Sequence, residues 1–291
     1  MQKAALLYFD RERKLALELA KLANFSPELI TRHDFPDGEL KLRLSPELPH
    51  RALIFHSLDH PNDKLIELLL AAKTARLLGV QHLTLIAPYL AYMRQDIAFE
   101  PGEAVSQRVV GDLIASLFDS VVTFDPHLHR TSKLEEAIPV KDALALSAAP
   151  LLGEIATQQR LNPILIGPDE ESAQWVAQAA QSHHLEYAVA RKIRRGDESV
   201  DIILPLIQVK GRHVVLLDDI ASSGHTLARA AELLYKAGAE TVDIAVTHAL
   251  FNNGAIDIII KAGVKKIWST DCIAHSTNAV SILPLLAKAL I

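Results

Sequence analysis

Short runs of wholly apolar residues alternate with longer amphipathic ones along this chain, and that alternation leaves few folds open. The apolar runs in the first half are Ala4–Phe9, Ala52–Ser57, Leu83–Ala87 and Ser120–Phe124. The second half offers Pro163–Gly167, His213–Leu217 and Thr241–Thr247. Strands apolar on both faces are covered by helices on two sides. Between them, Leu65, Leu68, Leu69, Ala72 and Ala75 form a helical stripe within Asn62–Leu78, with Gly79 at its stop. Leu227, Ala230, Ala231 and Leu234 do the same within Thr226–Ala237, ahead of Gly238. Strand, helix, strand, repeated, implies right-handed crossovers and parallel sheets. The pattern occurs in both halves. The predicted fold class is therefore α/β, with two similar domains, each a mostly parallel sheet flanked by helices. No Gly/Ser-rich linker marks the join, which is placed near Lys141. The domains are then 1–141 and 142–291, with the last residues free to pack back on the first.

Composition narrows the function classes. The 291 residues are 49% hydrophobic and 22% charged, enough to bury a core without disulfides and too apolar for bulk disorder. Thirty basic against 35 acidic side chains give a formal charge of −5, which argues against a basic, patchy nucleic-acid binder. The single cysteine, Cys272, cannot form an internal disulfide, which fits a reducing cytosol. Ala4–Phe9 stops at Asp10, and Val280–Ile291 contains Pro284 and Lys288. The first run is shorter than the h-region of a secretory signal, and the second falls short of the ~20 residues that a membrane helix needs. A cytoplasmic protein without a membrane partner is expected.

The most informative segment follows His213–Leu217. Asp218 and Asp219 come at the end of that strand, and Ile220, Ala221, Ser222, Ser223, Gly224, His225 and Thr226 lead into the next helix. Open α/β sheets bind ligands at the carboxyl ends of their strands. A small, hydroxylic loop containing a glycine, at a helix N-terminus, suits an anion. Two carboxylates beside such a cradle suit a sugar phosphate, accepting hydrogen bonds from vicinal hydroxyls while the loop holds the phosphate. The plainer alternative is an acidic turn with Ser223 or Thr226 as the helix N-cap.

Val214–Thr226 resembles the phosphoribosyl-diphosphate loop of the type I phosphoribosyltransferase fold. Four further stretches lie along the chain: Asp34–Glu39, Pro88–Asp96, Phe124–His127 and Gly167–Asp169. With Arg191–Arg194 they make the whole chain similar to the ribose-phosphate diphosphokinases, the synthetases of phosphoribosyl diphosphate (PRPP). The first two stretches are the discriminating ones, because ordinary phosphoribosyltransferases carry only the Asp-Asp loop. The chain is at the short end for this family and resembles its compact archaeal-type members around Asp125–His129 and Arg191–Ile202.

The resemblance assigns roles to residues that, taken singly, have plainer readings. Phe35, Asp37 and Glu39 read alone as a solvated acidic turn. The family implies a loop that reaches a neighbouring subunit's ATP, with Phe35 stacked on adenine. Arg94, Gln95 and Asp96 read alone as a surface ion pair with a neighbour. The family implies an ATP contact, with Arg94 as a fork-shaped cation for polyphosphate. Ile97 and Ala98 follow, where family members often carry a basic residue. His127 is one of 13 histidines, and a surface imidazole is its plainer reading. The family implies that it helps hold Mg²⁺, an ion that prefers oxygen ligands and keeps most of its waters. Asp169 matches a metal or ribose contact, while Glu170 and Glu171 suit a helix start. The basic run from Arg191 to Arg195 reads alone as a solvated face. In the family it is a mobile loop that supplies a catalytic lysine and an arginine two residues on, a spacing matched by Lys192 and Arg194. Asp218, Asp219 and Ser222–Thr226 would hold ribose 5-phosphate.

The implied reaction is transfer of the β,γ-diphosphoryl group of ATP to the C1 hydroxyl of ribose 5-phosphate, giving PRPP and AMP. Positioning and charge neutralisation would do most of the work. The family also implies homo-oligomers built from dimers, often hexamers. Two other readings stay open at this point: a homologue that binds PRPP without making it, and a non-catalytic structural partner in synthetase assemblies.

Overall fold

The computed structural model describes the chain except residues 1–2, 129, 132 and 196–198; for 193–195 and 199–201 the backbone alone is described. The chain divides into two compact units, residues 1–146 with 283–291, and residues 147–282.

The first unit is built on a seven-stranded sheet in the order β3-β2-β1-β4-β5-β6-β7. The strands are β1 (Ala5–Phe9), β2 (Ser26–Asp34), β3 (Leu40–Arg43), β4 (Arg51–Phe55), β5 (His82–Ala87), β6 (Ser120–Phe124) and β7 (Asp142–Leu146). All pair in parallel except β2 with β3, which form an antiparallel hairpin. The helices are α1 (Arg13–Leu22), α2 (Pro61–Leu77), α3 (Ser106–Leu117) and the short α4 (Leu134–Ala137). β7 extends this unit past the join expected at Lys141. The apolar stripe predicted for α2 is only partly its buried face. Leu68, Ala72 and Ala75 are buried, Leu65 and Leu69 are half-buried, and Lys64 and Glu67 go inside in their place. Ile66, Leu70 and Leu77 are left exposed.

The second unit has a six-stranded, all-parallel sheet in the order β15-β14-β13-β12-β8-β9 and a separate antiparallel ribbon. The sheet strands are β8 (Ile164–Gly167), β9 (Tyr187–Val189), β12 (His213–Ala221), β13 (Thr241–Ala249), β14 (Ile267–Thr270) and β15 (Asn278–Val280). The ribbon is β10 (Arg191–Arg195) with β11 (Ser199–Ile203). The helices are α5 (Ala149–Gln159), α6 (Ala173–His183), α7 (His225–Lys236) and α8 (Ala255–Lys261); a last helix, α9 (Leu283–Leu290), belongs to the first unit and packs on α1.

Strand β12 shows why its sequence is a central strand. Val214 and Leu216 enter the core shared with Leu227, Ala230, Ala231 and Leu234 of α7. Val215 and Leu217 enter the opposite core, with Leu152 of α5 and Val176 of α6. Successive side chains alternate faces, and both faces are covered, so every position is apolar. Each fully buried Val or Leu stabilises the fold by about 1.5–3 kcal/mol relative to exposure. The same strand carries Asp218 and Asp219 out of the core to its carboxyl end.

Candidate active site

In the second unit, strand pairing continues beyond Leu217. Asp218 lies opposite Val246, and Ile220 opposite His248, so the acidic pair lies within the last residues of β12 rather than in the loop after it. The N-cap of α7 is Gly224, at φ +76°, and no side chain caps the helix. The Ser223 or Thr226 cap considered from the sequence is therefore not formed. An added Cβ at Gly224 would meet the Ala255 carbonyl at 3.0 Å and the Ile259 side chain at 3.1 Å, so this tight, left-handed turn accepts glycine alone without strain. Ser222 is braced by the Asn252 N–H, which donates to its carbonyl at 3.1 Å. Ser223 and His225 are exposed, Thr226 half-buried. The arrangement is a helix N-terminus without a side-chain cap, ringed by hydroxyls, a setting that favours an anion.

Asp169 follows β8 and caps a single 3₁₀ turn, Glu170–Ser172, by accepting the Glu171 N–H at 3.1 Å. The Ser172 hydroxyl donates back to the Asp169 carbonyl at 2.6 Å, which fixes the residue further. Lys192, on β10, brings Nζ to 3.6 Å from Asp169 Oδ2. Burial pushes the Asp218 carboxyl well above the ordinary aspartate range, and the charges of Asp219 and Asp169 push it further. Asp219 is itself buried, and its N–H donates to Asp218 Oδ1 at 3.0 Å. The structure thus brings together Asp169, Lys192, Asp218 and Asp219. Arg194 pairs with Val200 through its backbone; its side chain lies outside the described residues, as does the predicted loop's tip at 196–198.

In the first unit, Phe35, Asp37 and Glu39 form the β2–β3 turn. Phe35 and Glu39 are joined by an N–H···O bond of 2.8 Å, and Asp37 Oδ1 accepts the Glu39 N–H at 3.2 Å. Phe35 is 40% exposed, stands edge-on to His33 at 4.9 Å between centroids, and has Lys41 Nζ 6.0 Å from its ring centre. Arg94 follows β5 and is exposed. Gln95 is held in place: its side-chain oxygen accepts from Ser106 Oγ at 2.7 Å, and its carbonyl accepts the Gln107 N–H at 3.1 Å. Asp96 Oδ1 accepts from Arg130 at 2.6 Å. His127 follows the adjacent strand β6 and is half-buried, just after Asp125, which is buried at φ +34°. The loops after β5 and β6 therefore meet. The Phe35 turn does not join them within the sheet, because β1 and β4 lie between β2 and β5, a displacement of roughly 14 Å.

Sequence reasoning missed Arg130 and Lys41. The signal for Arg130 was its place three residues beyond His127 on the same loop. Among the described residues, no three His, Cys, Asp or Glu side chains are grouped to form a metal cage from protein alone. No described helix is long and apolar enough to cross a membrane.

An Asp-Asp strand end above a glycine-capped helix, on a parallel sheet, defines the phosphoribosyltransferase class of α/β domain. Residues 140–274 match the family described as the phosphoribosyl transferase domain, and residues 4–117 match the N-terminal domain of ribose phosphate pyrophosphokinase. The ribose-phosphate pyrophosphokinase of Methanopyrus kandleri is 34% identical over 280 residues, covering 95% of this chain and 94% of that protein. The enzyme of the same name from Methanosarcina acetivorans is also 34% identical over 280 residues, covering 95% of each. The crystal structure of phosphoribosylpyrophosphate synthetase from Mycobacterium smegmatis superposes with a TM-score of 0.85 at 25% identity, covering 99% of this chain and 98% of that one. The chain belongs to the ribose-phosphate pyrophosphokinase family and is a diphosphotransferase enzyme.

Proposed function

We propose that this chain uses ATP as donor and ribose 5-phosphate as acceptor, with Mg²⁺, and releases PRPP and AMP. The observation that carries the reading is the convergence of Asp169, Asp218 and Asp219 with Lys192 beside the glycine-capped start of α7. Asp218 and Asp219 accept hydrogen bonds from the ribose hydroxyls. Ser222, Ser223, Gly224, His225 and Thr226 hold the 5-phosphate by their N–H and hydroxyl groups, helped by the helix dipole. Phe35, with Asp37 and Glu39, receives the adenosine, and Arg94, Gln95 and Asp96 form the polyphosphate side of the nucleotide site. The sheet order keeps the Phe35 turn apart from Arg94 within one chain, which favours a homo-oligomer in which the turn serves a neighbour.

The C1 hydroxyl oxygen attacks the β-phosphorus in line and releases its proton to solvent. The bond from that phosphorus to the α,β-bridging oxygen breaks, and AMP leaves. Lys192 and Arg194 neutralise the charge that grows on the migrating group, a contribution of electrostatics and position rather than covalent chemistry. Lys192 is held near Asp169 at a distance too long for a firm hydrogen bond, so it can exchange that partner for a phosphate. Asp169, in the second unit, offers a hard carboxylate oxygen of the kind Mg²⁺ prefers, and His127, in the first unit, offers a nitrogen. When bound, Mg²⁺ screens the triphosphate charge. We place the enzyme in the cytoplasm.

The test is the nucleotide product. Incubation with ATP, ribose 5-phosphate and Mg²⁺ should yield AMP and PRPP in equal amounts. Formation of ADP, or no product, would overturn the assignment and favour a PRPP-binding or non-catalytic homologue.

A further inference from the structure

We propose that Arg130 is a nucleotide-phosphate ligand of this enzyme and that Asp96 is its positioning residue. The proposal rests on the nucleotide site assigned above and adds a residue to it.

The loop that carries Arg94 is short of positive charge. From Gln95 to Val105 it holds no lysine or arginine, while Asp96, Glu100 and Glu103 are acidic. Arg94 alone would face a triphosphate across an acidic loop, and like charges at such distances oppose binding. The fold corrects this by bringing Arg130 across from the neighbouring strand. β5 and β6 pair in parallel, so the loops at their carboxyl ends lie side by side. Arg130 donates to Asp96 Oδ1 at 2.6 Å across 34 positions of sequence.

The two partners differ in exposure. The Asp96 side chain is 6% exposed, whereas that of Arg130 is 55% exposed. The second Asp96 oxygen is enclosed and has no hydrogen-bond partner. An enclosed carboxylate of this kind is a poor direct ligand for a polyanion but a good anchor for a cation. Only one donor of Arg130 is engaged by it, and a guanidinium has five in a rigid fork matched to phosphate. Asp96 therefore fixes the direction of Arg130 and leaves the rest of its fork to the ligand. This changes the role of Asp96: it acts on the nucleotide through Arg130.

The test is direct titration of the purified enzyme with the Mg²⁺ complex of α,β-methylene-ATP, which cannot be cleaved at the reacting bond. Arg130→Ala should weaken binding about tenfold, the value of one charge-assisted hydrogen bond. It should also lower the salt dependence of binding and, by leaving the enclosed Asp96 carboxylate without its partner, the melting temperature, while ribose 5-phosphate affinity stays unchanged. Asp96→Asn should weaken nucleotide binding in the same direction, and the double variant should be no weaker than Arg130→Ala alone, because both act through one group. Ile97→Lys placed in the Arg130→Ala background should recover part of the loss. In turnover, KM for ATP should rise with kcat nearly kept. Unchanged analogue binding in Arg130→Ala, or full additivity with Asp96→Asn, would overturn the proposal. Because the titration needs no turnover, it judges Arg130 even if the AMP assay fails.

Discussion

Two carboxylates, the fully buried Glu67 of the first unit and the half-buried Asp218 of the second, are treated in opposite ways. Glu67, on α2, has a side chain with no exposure. Burial alone would raise its pKa, but the hydrogen bond and charge of His56, reinforced by Arg11, outweigh that and hold it below the usual range. Arg11 donates to Glu67 at 2.6 Å, Arg32 pairs with it at 2.6 Å, and His56 lies at 3.0 Å while its other ring nitrogen meets Glu12 at 2.9 Å. Asp218 instead has Asp219 and Asp169 for neighbours, and is raised. A buried charge that the protein has already neutralised is architecture. A charge faced by other carboxylates is unfavourable until a proton, ligand hydroxyls or a cation completes it, which is the pattern of a site that takes a ligand. The same contrast explains a cavity of about 750 Å³ in the first unit, lined by Arg11, Arg13, Arg32 and Lys64. Each of these cations is already paired, with Glu67, Asp10, Glu67 and Asp59 respectively, so the cavity offers a bound anion little free charge.

The strongest way to break the comparison is to empty the architectural side. Glu67→Ala leaves Arg11, Arg32 and His56 around a vacated buried site and should destabilise the protein by about 3–5 kcal/mol. Chemical denaturation of the variant checks this, and a loss below about 1 kcal/mol would show that the network is dispensable. On the other side, Lys192→Ala removes the cation parked by the acidic group. Turnover should fall roughly 10²–10³-fold, as when one preorganised charge donor is lost. Stability should change by less than about 0.5 kcal/mol, since a partly exposed pair at this distance contributes little. A steady-state assay beside a melting curve separates the two effects. Unchanged turnover would remove Lys192 from the catalytic group.

The two sides also differ in how far the sequence discloses them. The strand–loop–helix form of Asp218–Thr226 was legible because its signals are local: an apolar run, two acids, small residues, glycine, helix. The central strands were legible because burial on both faces leaves no polar position in them. The β2–β3 hairpin escaped the periodicity reading. It is at the sheet edge, mostly exposed, and its residues are largely polar, so neither an apolar run nor a clean alternation announces it. The α2 stripe was misjudged because the partners that let Glu67 go inside come from positions 11, 32 and 56, none of them on the helix. Arg130 was missed for the same reason, since its meaning comes from Asp96 on another strand's loop. Local chemistry can be read along a chain; a charge neutralised from afar cannot.

The smallest effect is also the one that sharpens the contrast most, because it has opposite sign on the two sides. A group whose folded pKa is lowered, such as Glu67, contributes stability above its unfolded value of about 4.3 and loses it as the pH falls through its folded pKa. A group whose folded pKa is raised, such as Asp218, does the reverse. The folded state then binds the proton more tightly than the unfolded chain, so stability declines as the pH climbs from about 3.9, the unfolded value, through the folded pKa. Asp218→Asn removes that penalty while keeping the shape of the side chain. The variant should be more stable than the parent at pH 7, by about 0.5–2 kcal/mol, the usual range for a single stabilising substitution. The gain should shrink as the pH falls below the folded pKa and vanish near pH 3.9, while catalysis is lost at every pH. Melting curves from pH 4 to pH 8 would show it. If Asp218→Asn were instead less stable than the parent at neutral pH, the Asp218 carboxylate would be neutralised within the protein as Glu67 is, and the distinction between a completed charge and a waiting one would fail for this pair.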